Sequence, residues 1–249
     1  ISFSNLSQVD GDISIYGWGY CCNYTNYIGS AGLDSLNFPS LEIVDNISLS
    51  VLKDVEYLNF DSLISADEIS ISGGSNPVNY FGVQDLELST FNNLQDVSSV
   101  QISTSKFSKI TGFQNLQTIS SLTINNNSSL DEITGFINVA SINSLSTSGN
   151  GSLDVCCVLL DLADLTTGNV NISNNSGVCS SLLNIAVECG ASFCGQSGQT
   201  LYVDSQVELD NLFDFTNFYG NLVLEDAESA TNFSSINLPN LETIVGNLT

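Results

Sequence analysis

The chain contains no histidine, and that absence governs what chemistry it can do. A Ser–His–Asp or Cys–His device needs an imidazole to carry the proton. What remains as reactive material is 27 Asp and Glu, seven Cys and a short aromatic run. Neighbouring carboxylates such as Asp67-Glu68 and Asp131-Glu132 are the residue type that a glycosidase sets on either side of a scissile bond. They occupy surface positions where solvation accounts for them, so no catalytic residue is assigned. The acidic surface invites Ca²⁺ as its one cofactor, for instance at Asp10-Gly-Asp12, but that tripeptide is too short for an EF-hand-type loop. A solvated acidic face without a specific ion is the simpler reading.

The cysteines are Cys21, Cys22, Cys156, Cys157, Cys179, Cys189 and Cys194. Zinc fits them poorly, because histidine and C-x-x-C spacing are missing and adjacent cysteines rarely chelate one ion. Disulfides are the better expectation, and they imply an oxidising, extracytoplasmic location. The long-range bridges expected join the Cys156-Cys157 pair to Cys179 and Cys189. An odd count leaves one thiol free or paired elsewhere, and the full connectivity stays open.

Candidate binding residues are aromatic. Tyr16, Trp18 and Tyr20 stand at i, i+2 and i+4, with Tyr24 and Tyr27 close behind. On an extended strand the first three share one face, and flat rings suit sugar or protein recognition. Packing of those rings back beside Cys21-Cys22 is the competing reading. A second protruding loop, Asn76-Pro-Val-Asn-Tyr80-Phe81, offers Tyr80.

Net charge is −24, and the only cations are Lys53, Lys106 and Lys109. Nucleic-acid binding needs cationic side chains to displace counterions, so it is excluded, and an anionic membrane surface is disfavoured for the same reason. No run is apolar and long enough to span a bilayer. The partners that remain are an extracellular protein or glycan, and adjacent modules of the same chain. About ten Asn-x-Ser/Thr sites occur, Asn23, Asn46, Asn150 and Asn232 among them, and these become glycans only in a eukaryotic host.

What must position these residues is a repeat. The frame Phe-x-x-Leu-x-x-Val starts at Phe38, Phe60, Phe91, Phe113 and Phe136, every 22 or 23 residues but for one gap of 31. The excess there falls in Gly73-Gly74-Ser75-Asn76-Pro77, which reads as a loop inserted between repeats. Such a period is too short for a self-sufficient domain, so each copy must bury its apolar side against its neighbours. After each frame comes a period-two run, Ile47-Ser-Leu49, Ile69-Ser-Ile71, Val100-Gln-Ile102 or Leu122-Thr-Ile124, the signature of a half-buried strand. Asn125, Asn126, Asn127, Asn174 and Asn175 fall just after strands, where Asn tolerates left-handed backbone. The expected fold is mainly all-β: a right-handed parallel β-helix or leucine-rich-repeat-like solenoid with short capping helices.

Phe3-Ser-Asn-Leu6-Ser-Gln-Val9 fits the frame with one extra residue before its strand, and Leu238-Pro-Asn-Leu241-Glu-Thr-Ile244 has the same longer spacing. Residues 1–195 are therefore expected to form one solenoid module lacking its N-terminal cap, with a disulfide-rich C-terminal cap. Residues 200–249 open a second, truncated module. Its helix is capped by Ser205 with Glu208 reaching back and runs through Leu212-Phe213; the junction falls near 195–200.

Leu238-Pro-Asn-Leu241-Glu-Thr-Ile244-Val-Gly-Asn-Leu248-Thr resembles the repeat of receptor L-domains, the ligand-binding modules of insulin and epidermal growth factor receptors, and that of fungal wall proteins. The tail Cys156-Cys157-Val-Leu-Leu-Asp-Leu, Asn171-Ile-Ser-Asn-Asn-Ser-Gly177-Val-Cys179 and Val187-Glu-Cys189 is similar to leucine-rich-repeat-like surface proteins of Bacteroidetes. The resemblance covers nearly the whole chain. It implies a secreted or surface-anchored multi-module protein, exported through the type IX pathway and acting in adhesion, with no catalytic residues carried over. The segment Tyr16–Tyr24 and the lack of arginine depart from it. A structural repeat of an extracellular filament is the alternative function, and a carbohydrate-active enzyme the third.

Overall fold

The structure, a computed structural model, describes residues 1–17, 33–73, 81–189, 193–203, 206–212, 215–224, 236 and 238–249. The chain divides into two compact units, residues 1–179 and 180–249. In the first unit the strands are β1 (Gln8–Tyr16), β2 (Ser35–Asn37), β3 (Ile43–Ser50), β4 (Tyr57–Asn59), β5 (Ser65–Ser72) and β6 (Phe81–Leu88). They continue with β7 (Asp96–Ser103), β8 (Ser105–Ile110), β9 (Thr118–Asn125), β10 (Glu132–Ile133), β11 (Ser141–Ser148) and β12 (Val170–Ser173). Seven of them form one parallel sheet in the order β1-β3-β5-β7-β9-β11-β12. β10-β8-β6 make a second parallel sheet, and β2-β4 a two-stranded one.

The expected alternation is what builds the large sheet. Ile47 and Leu49, Ile69 and Ile71, Val100 and Ile102, and Leu122 and Ile124 are all buried, while the serines and threonines between them face outward. Pairing steps along the chain by 22, 31, 22 and 23 residues, as in Ile43↔Ser65, Ser65↔Asp96, Asp96↔Thr118 and Thr118↔Ser141. The long step leaves the β5–β7 pairing intact; residues 74–80, which hold nearly all of the expected inserted loop, lie outside the described residues. The extra residue of the first repeat also has a physical form. β1 shifts register against β3 between Val9 and Asp12, a bulge that holds Gly11 at φ +132°.

Each frame begins as a turn. The Leu41, Leu63, Leu94, Leu116 and Val139 amides donate to the carbonyl of the Phe three residues earlier. The rings of Phe3, Phe38, Phe60, Phe91, Phe113 and Phe136 stack in one column, with centroids 4.8–5.2 Å apart and planes within 10–20°. Three of these residues, Phe91, Phe113 and Phe136, sit in left-handed backbone (φ +67°, +61° and +64°). Strain of about 1–3 kcal/mol at each is outweighed by burying a ring whose loss would cost about 3–5 kcal/mol. The residue before the turn is set by close approach: a Cβ on Gly112 would lie 2.1 Å from the Thr90 carbonyl oxygen, and one on Gly135 2.4 Å from that of Gly112.

The chain after β11 enters α1 (Val158–Leu165), which packs beside β11 and buries Leu159, Leu160, Leu162 and Ala163. The second unit contains α2 (Leu182–Glu188), β13 (Phe193–Val203), α3 (Gln206–Asn211), β14 (Asn217–Leu224) and β15 (Thr243–Val245). β13-β14-β15 form a parallel sheet, around a core that includes Val203, Leu209, Leu212, Phe215, Phe218 and Leu222. α3 falls where the capping helix was expected, although Ser205 and the Glu208 side chain lie outside the described residues. β13 runs through the stretch 195–200 in which the sequence places the module junction. Among the described residues no helix is long and apolar enough to cross a membrane.

Candidate functional site

The outward face of the seven-stranded sheet is an ordered surface to which every one of its strands contributes. Because the strands pair in register, equivalent side chains line up in rows across them. One row runs Ser14, Ser48, Ser70, Gln101, Thr123, Ser146 and Asn171. The next runs Tyr16, Ser50, Ser72, Ser103, Asn125, Ser148 and Ser173. With strands about 4.8 Å apart, six steps carry each row over roughly 29 Å. No position in either row is charged, in a chain of net charge −24. Nearer the strand starts the acids return: Asp12, Glu68 and Asp96 are exposed there, and Asn46 donates to Asp12 at 2.7 Å. A shallow concavity of about 290 Å³ opens among Asp67, Asp96, Ser98, Thr118 and Asn143.

Tyr16 closes one end of its row and is 65% exposed. Its hydroxyl makes side-chain hydrogen bonds with Ser14 and Ser48, which hold its pKa below the ordinary tyrosine value. Trp18, Tyr20, Tyr24 and Tyr80, the other aromatic candidates, lie outside the described residues, as do Cys21 and Cys22.

Among the described residues the carboxylates form no comparable row. Glu56, Asp85 and Glu87 surround a second concavity of about 380 Å³ with Tyr57, itself 52% exposed, and Gln84. Asp85 sits there in left-handed backbone (φ +63°) beside a double register shift between β6 and β8. Of the Asp131-Glu132 pair, Glu132 is engaged by Lys109 in an ion pair. The hydrogen bond and charge of the ammonium lower the Glu132 pKa, and the carboxylate raises that of Lys109. Among the described residues no group of three or more His, Cys, Asp or Glu is placed to hold a metal ion.

The asparagines yield a feature that the sequence reading missed. Asn127, Asn150 and Asn175 form a buried ladder at the ends of successive repeats. The Asn150 Oδ1 accepts from the Asn127 amide at 3.0 Å and from its Nδ2 at 3.1 Å. In turn, the Asn150 Nδ2 donates to the Ile124 carbonyl at 2.8 Å and to the Asn175 Oδ1 at 3.0 Å. At the near end Ser105 donates to the Asn127 Oδ1 through both its amide and its hydroxyl. Asn150, read above as a glycosylation site, is fully buried with its amide nitrogen occupied, and that reading is corrected. Asn126 and Asn174, one residue before ladder members, take the left-handed backbone expected of them (φ +58° and +54°).

Among the described residues four cysteines are in disulfides. Cys156 and Cys179 are bonded, joining the residues ahead of α1 to the 3₁₀ turn Gly177–Ser180 after β12. Cys157 and Cys189 are disulfide-bonded too.

The chain matches no family model, no curated protein and no solved structure.

Proposed function

We propose that the chain is a right-handed parallel β-helix of the receptor L-domain or leucine-rich-repeat-like kind, and that it serves outside the cell as a non-catalytic recognition and adhesion module. The observation that carries this reading is the outward face in which each repeat contributes one strand to a parallel sheet of seven. A repeat of this kind multiplies weak polar contacts along a surface, which suits avid attachment better than turnover. The disulfides support an oxidising compartment, and surface display follows from the resemblance. The test is retention of labelled protein on intact cells and on extracellular matrix. Wild-type protein is retained; binding no greater than that of an unrelated acidic protein refutes adhesion.

A second reading is a repeat of an extracellular filament, which the serial stacking of like strands in one parallel sheet also suits. Electron microscopy of the cell surface separates the two: a regular fibre favours the filament, isolated tethered molecules the recognition module.

A further inference from the structure

The two uncharged rows of the large sheet identify the kind of ligand that a recognition module of this shape would take. We infer that the outward face of β1, β3, β5, β7, β9, β11 and β12 binds a linear, neutral polysaccharide lying across the strands, with Tyr16 stacked on a sugar ring at one end. This rests on the recognition reading above and names its ligand.

Charge comes first. With 27 acids against 3 bases, two adjacent rows without an ionised group, bordered by Asp12 and Glu68 nearer the strand starts, are a departure from the surrounding surface. An anionic polymer would meet the field of the whole chain with no cation in either row to compensate. A cationic partner would be drawn to the carboxylates elsewhere, such as Glu56, Asp85 and Glu87. A neutral polyol avoids both penalties.

Hydrogen-bonding capacity comes next. Ser, Thr, Asn and Gln both donate and accept, as sugar hydroxyls do. Several of these groups are already pre-oriented by neighbours: Ser148 donates to the Asn125 Oδ1 at 3.1 Å, Ser173 to the Asn171 Oδ1 at 2.9 Å, and Ser72 to the Ser50 hydroxyl at 3.4 Å. The rows repeat along one direction, as a polymer chain does, over roughly 29 Å. Finally there is an aromatic platform. Tyr16 is exposed, lies at the end of a row and is braced by Ser14 and Ser48, and an exposed ring presents the apolar face that a sugar ring covers.

The test is depletion of the purified chain from solution by cellulose, chitin and amylose as neutral probes and by polygalacturonate as an anionic one. Three variants accompany it: the double variant Thr123→Glu with Ser146→Glu at the centre of the face, Tyr16→Ala at its end, and Ser128→Glu as an exposed control off the face. Thermal melts confirm that each variant is folded, and Gln101→Ala replaces the double variant should that one not fold. The expected result is depletion by at least one neutral probe that persists at high salt. It should fall tenfold or more in the double variant, several-fold in Tyr16→Ala, and remain unchanged in Ser128→Glu. Full binding by the folded face variants overturns the assignment, as does depletion by polygalacturonate alone. If cells retain the chain but every neutral polysaccharide fails, the ligand class is wrong while the recognition reading stands.

Discussion

Replacing Asn150 by alanine should be among the most damaging single changes available to this chain, although its local sequence, Asn-Gly-Ser, reads as a surface loop. The side chain makes four hydrogen bonds inside the protein. One of its partners, the Asn127 amide, is a backbone donor beside buried residues, and alanine leaves it unpaired. An orphaned buried group costs about 1–3 kcal/mol, so the expected loss is at least about 1–3 kcal/mol, a sizeable part of a total stability of about 5–15 kcal/mol. The assay is urea unfolding followed by circular dichroism, read as a fall in midpoint at unchanged slope. A loss below about 1 kcal/mol would show that the ladder does not bear on stability as argued. Asn150→Asp adds a check with a sign. A carboxyl at this buried position has its pKa raised above the unfolded value of about 3.9. The unfolded state then releases its proton first, so stability falls as pH rises from about 4. Relative to wild type this variant is worst at neutral pH and recovers in acid; the opposite trend would refute burial of the site.

Three further outcomes follow from the same structure. Phe113→Ala, in the middle of the ring column, should cost about 3–5 kcal/mol in chemical unfolding, and Phe113→Leu distinctly less. A cost for alanine no larger than that of a surface substitution would contradict the stack. Reducing the Cys156–Cys179 bridge, whose ends are 23 residues apart, should lower stability by about 3 kcal/mol, measured as the shift in unfolding midpoint of the Cys156→Ser/Cys179→Ser variant. Lys109→Ala should let the Glu132 pKa climb back toward its ordinary value, because the ammonium holds it down. The pair stabilises the fold above the unfolded Glu value of about 4.3, and that contribution fades as pH falls through the depressed folded one. Carboxyl NMR titration reads the shift directly; an unmoved Glu132 would show that the ion pair does not form in solution.

Much of this architecture is encoded over short distances along the chain. A Phe-x-x-Leu turn needs only an amide three residues beyond a carbonyl, and a half-buried strand needs only alternate apolar residues. Phe38, Leu41, Val44, Ile47 and Leu49 could therefore be assigned to the interior from spacing alone, and the residue added before Ile13 could be expected to disturb its strand. The Cys156–Cys179 bond is one of the pairings that the spacing allows, since both residues flank one terminal segment.

Tertiary structure decided whatever depends on register between repeats. Asn126 and Asn127 are neighbours in one polar triplet, yet one is exposed and left-handed while the other is sealed in a ladder. Asn150 carries the same sequon text as exposed Asn171, and only the position of Asn175, 25 residues on, makes it a core residue. Tyr16 was legible as an exposed ring, but the serines that brace it come from its own strand and from β3. Uncharged rows likewise form only when seven strands stack without a slip, since a shift of one residue would turn every serine inward. Local spacing sets which side of a strand is apolar; alignment across 22 to 31 residues sets which polar groups meet, and so whether they hold the core together or face a ligand.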